Sequence, residues 1–368
     1  MRLRTTLLVA AACLVFTRGA PAQAPRALSD SAFAQLSSAL SERGGFFDTD
    51  NLITNEDSYL LPLSTLRRLG VQGGAYLGVG PDQNFSYIAA VRPRIAFIVD
   101  IRRDNLIEHQ LFKAVFALAR TRIDYLCLLF GLEPPPDTTG WGARSITDLL
   151  RHVDSVRVTK VDTRAVRERV ADRVRKSALH LMAADIATAR RFHDAFVADG
   201  PDLQFASFNR APQPYYPDLR RLLLEKDRTG REGNFLAREA DFQFVKSLED
   251  RNLVIPVVGD FAGTRALAEV ARWLRENRET VSAFYTSNVE QYLFRDGGFR
   301  QFALNAALLP ADERSVFVRS FFMGGHPQSV AGYHATQLVQ SMRRFGEVVQ
   351  QRGYVSYGEL IRSDLIVP

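Results

Sequence analysis

Ala75-Tyr76-Leu77-Gly78-Val79-Gly80-Pro81-Asp82-Gln83-Asn84 is the stretch from which the fold is read. Ala75 to Val79 is a short apolar run of strand length. Gly80-Pro81-Asp82 is a turn, and Asp82 is a suitable N-cap for a helix from Gln83 to about Val91. Pro93 ends that helix. Arg94 to Ile101 is rich in β-branched and aromatic residues and reads as a second buried strand. Asp104 then caps a long helix from Leu106 to about Phe130, closed by Gly131. Strand, loop, helix, strand, helix is a βαβα unit, which calls for a parallel sheet and right-handed crossovers.

The same signals recur on either side. Leu253 to Val258 is a third strand ending at Gly259-Asp260, followed by a helix from about Thr264 to Asn277. Val281 to Thr286 gives a fourth strand, Val316 to Phe321 a later one, and residues 334–351 a final helix. Upstream, Asp30 to Glu42 is helical, with Phe33, Leu36 and Leu40 on one face. Residues 58–69 form a short helix. Between the two strand blocks lie a Pro/Gly-rich linker at 133–143, a helical stretch at 144–199 and a loop-rich stretch at 200–235; helical patterning returns from Ala237 to Asp250. The expectation is one α/β domain over 25–368. It has a mostly parallel sheet, helices on both faces and a largely helical insertion at about 133–235.

The N-terminus belongs to a different physical class. Arg2 and Arg4 precede the apolar run Leu7 to Phe16, and Ala20-Pro21-Ala22 is a small-x-small cleavage site. This reads as a secretory signal peptide over residues 1–22, and so as export to the periplasm or beyond. A retained anchor and a lipoprotein modified at Cys13 are the alternatives; the apolar run is short for a bilayer span. Loss of Arg2, Arg4 and Arg18 lowers the net charge from +6 to +3. The remaining basicity does not point to nucleic acid, and the run Arg164 to Lys176 alternates with Val166, Val170 and Val174 as a solvated helix face would. Cys127 would be the one cysteine left, in an apolar run that suits a buried, inert thiol. No later run is long enough to span a membrane.

Function is sought at the strand ends, because open α/β sheets bind ligands there. Those ends carry Gly78-Val79-Gly80-Pro81-Asp82-Gln83-Asn84, then Asp100, then Asp260, then Ser287-Asn288. Glycines permit close backbone approach and positive φ. Asp100 lies 22 residues after Gly78, which agrees with the roughly 20-residue spacing of an acid that meets a ribose. A dinucleotide loop would carry its third glycine at position 83, where this chain has Gln83. Asp82 at the helix N-terminus would also repel a pyrophosphate. S-adenosylmethionine has no phosphate and a positive sulfonium, so the charge pattern favours an adenosyl-sulfonium ligand over NAD. Gly78, Gly80, Asp82, Asn84, Asp100 and Asp260 are the expected cofactor-binding residues.

At this point the chain resembles an uncharacterised bacterial family. The shared pattern includes Gly44-Gly45-x-Phe47-Asp48-Thr49-Asp50-Asn51-Leu52, Gly78 to Tyr87, Asp100-Ile101-Arg102-Arg103-x-Asn105, Val257-Val258-Gly259-Asp260-Phe261 and Ser287-Asn288-Val289-Glu290-Gln291-Tyr292. The resemblance covers nearly all of the chain after the leader. It implies a fold similar to the Rossmann-like methyltransferases that use S-adenosylmethionine, and it assigns no activity. Two departures from the methyltransferase pattern stand out. Tyr76 occupies the position, two residues before the first glycine, where those enzymes carry an acid, and Asp82 replaces a third glycine.

Other residues offer further chemistry. Asp48, Asp50 and Asn51, with Glu56 and Asp57, form an acidic segment that either contacts substrate or makes solvated turns. Asn288 joins them as a substrate candidate. His326 sits in a loop after Gly324-Gly325. The other histidines are scattered and match no zinc spacing, and the acidic segment does not match a calcium loop, so no metal is expected. The leading expectation is a methyltransferase-type protein that binds a small adenosyl ligand. An exported, non-catalytic binding protein of the same fold is the alternative. A hydrolase using Asp48, Asp50 or His326 is the third.

Overall fold

The computed structural model describes residues 27–159, 162–322 and 324–368. The leader reading of residues 1–22 falls outside them. Six strands form one sheet: β1 (Ala75–Gly78), β2 (Ile95–Asp100), β3 (Val254–Val258), β4 (Val281–Ser287), β5 (Ala311–Phe321) and β6 (Thr336–Ser341). Their order across the sheet is β3-β2-β1-β4-β5-β6. The first five are parallel, and β6 runs antiparallel to β5. The fold is therefore α/β with a mostly parallel, mixed sheet. The 75–100 and 253–287 blocks do share it.

Strand burial explains the parallel arrangement. β1, β2 and β3 are buried along their whole length, as strands covered on both faces must be. Helices supply that cover, and they are numbered here in chain order. α1 (Asp30–Leu40) packs along the edge strand β3, where the Ser37 hydroxyl donates to the Pro256 carbonyl at 2.6 Å. Proline is tolerated there because an edge strand needs no N–H on its outer side. α2 (Pro62–Arg68), α3 (Gln83–Val91) and α4 (Arg103–Leu118) lie over one face. Outside α4 stand α5 (Arg122–Leu129), α6 (Ile146–Val158), α7 (Arg164–Arg175), α8 (Ala183–Asp199) and α9 (Leu219–Leu224), with α10 (Glu239–Asp250) returning to α3 and α4. α11 (Ala266–Glu276), α12 (Val289–Asp296), α13 (Phe299–Ala307) and α14 (Met342–Gln351) build the other layer, completed by α15 (Tyr357–Leu360).

Three sequence expectations are corrected. The helix expected over 334–351 is strand β6 followed by α14. Thr336–Gln340 is buried on both sides, so it shows no polar alternation, and the Ser341 hydroxyl accepts from Arg344 N to start the helix. The long helix from Leu106 breaks after Leu118: Ala119 is extended, and Thr121 caps α5 by accepting from Asp124 N. Asp82 occupies the N-cap position of α3 but makes no cap bond with its side chain. The amphipathic reading of α7 agrees with the structure. Val166, Val170 and Val174 are buried, while Arg167 and Arg169 pair with Asp194 and Glu133. Cys127 is buried, and burial pushes its thiol up to about 12.

Candidate functional site

Strand order reverses between β1 and β4, since their onward connections leave to opposite sides. The loops that follow the two strands diverge and leave a gap. A cavity of about 390 Å³ opens there, walled by residues from the ends of β1, β2, β3 and β4. Gly80, Asp100, Asp260, Ser287, Asn288 and Asn51 all line it. Five separated stretches of sequence are thus brought to one place.

The β1–α3 loop is held by its own side chains. Asn84 is fully buried, and its Nδ2 donates to the carbonyls of Val79, Gly80 and Pro81 at 3.0, 3.1 and 2.8 Å. Its Oδ1 accepts from the Tyr76 hydroxyl at 2.8 Å. A Cβ on Gly78 would fall 1.9 Å from that Oδ1 and 2.9 Å from the Tyr76 ring. Gly78 is therefore needed by Tyr76 and Asn84, and neither Gly78 nor Asn84 lines the cavity. Gly80 does line it, with φ of 83°. Gln83 also lines it. Its Nε2 donates to Val79 O at 3.1 Å, while its buried Oε1 has no hydrogen-bond partner among the described residues.

Asp100 is not a bare carboxylate. The Arg102 N–H and Nε donate to Oδ1 at 2.8 and 3.2 Å, and Arg102 Nη2 donates to Oδ2 at 3.1 Å. The same guanidinium donates through Nη1 to the carbonyls of Thr49 and Asp50 at 3.1 and 2.6 Å. Arg102 is buried, so this pair ties the 48–51 segment to the end of β2. Asn51 adopts φ of 54° at that tie, its N–H donating to Thr49 Oγ1 at 2.9 Å. The carboxylates of Asp48 and Asp50 turn to Arg210 and Arg191 and stay out of this cavity. Asp260 accepts from Ala262 N at 2.8 Å, and its own N–H donates to Glu42.

Behind the β1–α3 loop lies a set of ionisable groups, of which the sequence suggested Asp82 but not His109 or Glu108. His109 Nε2 donates to Gly80 O at 3.0 Å, and burial holds its imidazole down at about 4. Burial pushes the Asp82 carboxyl up to about 7, with the backbone N–H groups of Asp82 and Gln83 pulling the other way. Burial also drives Glu108 well above the usual carboxylate range, despite the nearby Arg102 charge. Both Glu108 oxygens lack partners among the described residues. Asp82 belongs to this set and not to the cavity wall.

At the far wall, Glu56 is fully buried and accepts from the hydroxyls of Ser287 and Ser320 and from Gln337 Nε2 at 3.0 Å. Phe47 meets Tyr292 edge-on at 5.2 Å over the cavity, and Phe261 closes its base against Phe284. His326 is elsewhere. Its Nδ1 accepts from Gln328 N and its Nε2 donates to Ile361 O, so both ring nitrogens hold a loop. No described group of histidines, cysteines and acids could hold a metal ion. No described helix is long and apolar enough to cross a membrane.

Arg102 and Gln83 escaped the choice of site residues, although Asp100-x-Arg102 is an acid and a base two apart at a strand end. The Glu56–Ser287 contact joins positions that no local pattern connects. No curated protein matches the chain. A family model described as a domain of unknown function, DUF7790, matches residues 52–130 and 143–365, which take in all six strands, and the chain belongs to that family.

Proposed function

We propose that this chain is a Rossmann-like, methyltransferase-type protein that binds S-adenosylmethionine or a related adenosyl ligand in the cavity at the β1–β4 strand ends. One observation carries the reading: the cavity lies where the strand order reverses, with an acid at the end of the second strand. Doubly wound sheets bind nucleotides at that point.

The residues present fit an adenosyl group. A carboxylate offers about four acceptor positions. Arg102 uses three on Asp100, which leaves one on Oδ2 for a ribose hydroxyl. Gln83 lines the same wall, and its buried Oε1 has no partner among the described residues. Phe261 and Phe47 give apolar faces for a base. A phosphate is disfavoured, because a carboxylate, Asp82, stands at the N-cap of α3. When bound, S-adenosylmethionine would supply an electrophilic methyl group. Gly80, Gln83, Asn51 and Asp100 would hold its adenosyl part, and Asp260 and Asn288 would face the transferred group or the substrate. Gly78, Asn84 and Asp82 leave the ligand set, and Asp48 and Asp50 leave the substrate set.

Calorimetry on the purified chain tests this. Micromolar binding of S-adenosylmethionine or its demethylated product, weakened about tenfold in Asp100→Asn by loss of a charge-assisted hydrogen bond, is the expected result. Absence of heat with both ligands would overturn it.

A second reading is an exported binding protein that keeps the fold without catalysis. The expected leader motivates it, since methyl donors are scarce outside the cytoplasm. So do the Tyr76–Asn84 pair, which fills the space beside Gly78, and the Arg102 clamp on Asp100. Turnover of a methyl donor would exclude this alternative.

A further inference from the structure

Ser287 closes β4 with φ of 55°, and α12 begins two residues later. A non-glycine residue seldom adopts that left-handed backbone. Strain of this kind persists only where the surroundings enforce it, and it concentrates at active sites. A serine on a sharp strand-to-helix turn is also how hydrolase nucleophiles are presented. The local sequence is Tyr285-Thr286-Ser287-Asn288-Val289. It lacks the glycines that usually mark such a turn, so the geometry is invisible to a motif search.

The surroundings supply the remaining parts. The Ser287 hydroxyl donates to Glu56 Oε1, while the residue also lines the cavity. Among the described residues, Glu56 is held by the hydroxyls of Ser287 and Ser320 and the Gln337 amide, with the Tyr285 hydroxyl beside it, and none of these is a cation. Burial raises the proton affinity of Glu56, and those donors lower it in part. A carboxylate of raised proton affinity is a better base. Val289 opens α12 directly after Ser287-Asn288, and its N–H, the first of the helix, has no intrahelical acceptor, whereas Gln291 N donates to Asn288 O at 3.1 Å. Phe47, Phe261 and Leu293 make the neighbouring wall apolar.

We propose that Ser287 is the nucleophile of an acyl-transfer site in this cavity, with Glu56 as its base, acting on a small carboxylic ester that carries an apolar group. The Ser287 Oγ bonds to the ester carbonyl carbon as its proton passes to Glu56. The Val289 N–H at the start of α12 faces the oxyanion. The ester C–O bond then breaks, and the leaving alcohol oxygen takes the proton from Glu56. Water attacks the acyl-serine, gives a proton to Glu56, and that proton returns to Ser287 as the acid departs. This chemistry does not depend on an adenosyl ligand.

The test is covalent labelling of the purified full chain with an alkyl fluorophosphonate, read by intact mass and peptide mapping, beside a known serine hydrolase as a reagent control. One adduct on Ser287 is expected, absent in Ser287→Ala. The labelling rate should fall about 100-fold in Glu56→Gln, the size of a lost general base. No adduct on the wild-type chain while the control reacts, or an adduct on another residue, would overturn the proposal and leave Ser287 as a donor that holds Glu56. Calorimetry with adenosyl ligands is a separate readout, so failure of one reading leaves the other standing.

Discussion

The two walls of the cavity solve the same problem in opposite ways. At the β1–β2 wall the protein satisfies its own polar groups. Asn84 takes three loop carbonyls and the Tyr76 hydroxyl, and Arg102 takes both oxygens of Asp100. At the β4 wall a strained serine leans on a buried carboxylate that has no cationic partner among the described residues, beside the start of a helix. The first wall is tied by its own polar groups, and the second carries the strained backbone on which the acyl-transfer proposal rests. A glycine or an acid at a strand end is therefore no guide to ligand contact until the neighbours that already use it are known.

Breaking the first wall should cost most. Arg102→Met leaves Asp100 buried beside no cation, and loss of one partner of a buried pair costs about 3–5 kcal/mol. Urea unfolding of the variant measures it, and a loss under about 1 kcal/mol would show that the clamp is dispensable. Gly78→Ala comes next. Its Cβ meets Asn84 Oδ1 and the Tyr76 ring, and overpacking of this kind costs about 1–3 kcal/mol. If Gly78 instead served only a bound ligand, the same variant would unfold like the wild type and lose affinity alone.

Titration sharpens the comparison from beneath the loop. Asp82 holds its proton up to about pH 7, whereas the unfolded chain gives it up near pH 4. Its contribution to stability is therefore full at low pH and is lost as pH rises from about 4 to about 7. His109 acts with the opposite sign. Its folded value of about 4 lies below the unfolded one, so stability is lost as pH falls from about 6.5 to about 4. The two offset each other in the acid range. Asp82→Asn should thus melt higher than the wild type at pH 8, with the gain fading toward pH 4. A constant difference across pH would contradict the buried titration. The smallest effect is expected from Asp48→Asn. It breaks an exposed pair with Arg210 worth at most about 1 kcal/mol, and it should leave ligand binding unchanged.

The sheet was legible because its strands carry their own signals. The runs at Ala75, Ile95, Val254 and Val281 are apolar and end in Gly, Asp or Ser, and all four meet at the cavity. β6 was not legible, because Thr336–Gln340 is buried on both sides and mixes polar with apolar residues. Its glutamines serve distant partners: Gln337 donates to Glu56, and Gln340 donates to Leu360 O and Ser363 O. The candidate site divides in the same way. Gly80, Asp100, Asp260 and Asn288 were found from position at the strand ends, Asn51 from the acidic segment before β1, and all five reach the cavity. Gly78, Asp82 and Asn84, chosen from the strand ends, and Asp48 and Asp50, chosen from the acidic segment, do not: Tyr76, Arg210 and Arg191 engage all but Asp82, which lies near Glu108 behind the loop. Remote partners, Arg210 and Arg191, decided Asp48 and Asp50, and a single sequence carries no record of them.

The central claim is that the cavity between β1 and β4 takes an adenosyl ligand. Crystals soaked with the demethylated product of S-adenosylmethionine test it most directly. The account predicts the ligand between Gly80 and Asp260, with a ribose hydroxyl on Asp100 Oδ2 and the Arg102 clamp intact. A cavity that stays free of ligand at saturating concentration, or a ligand bound away from the strand ends, would contradict it.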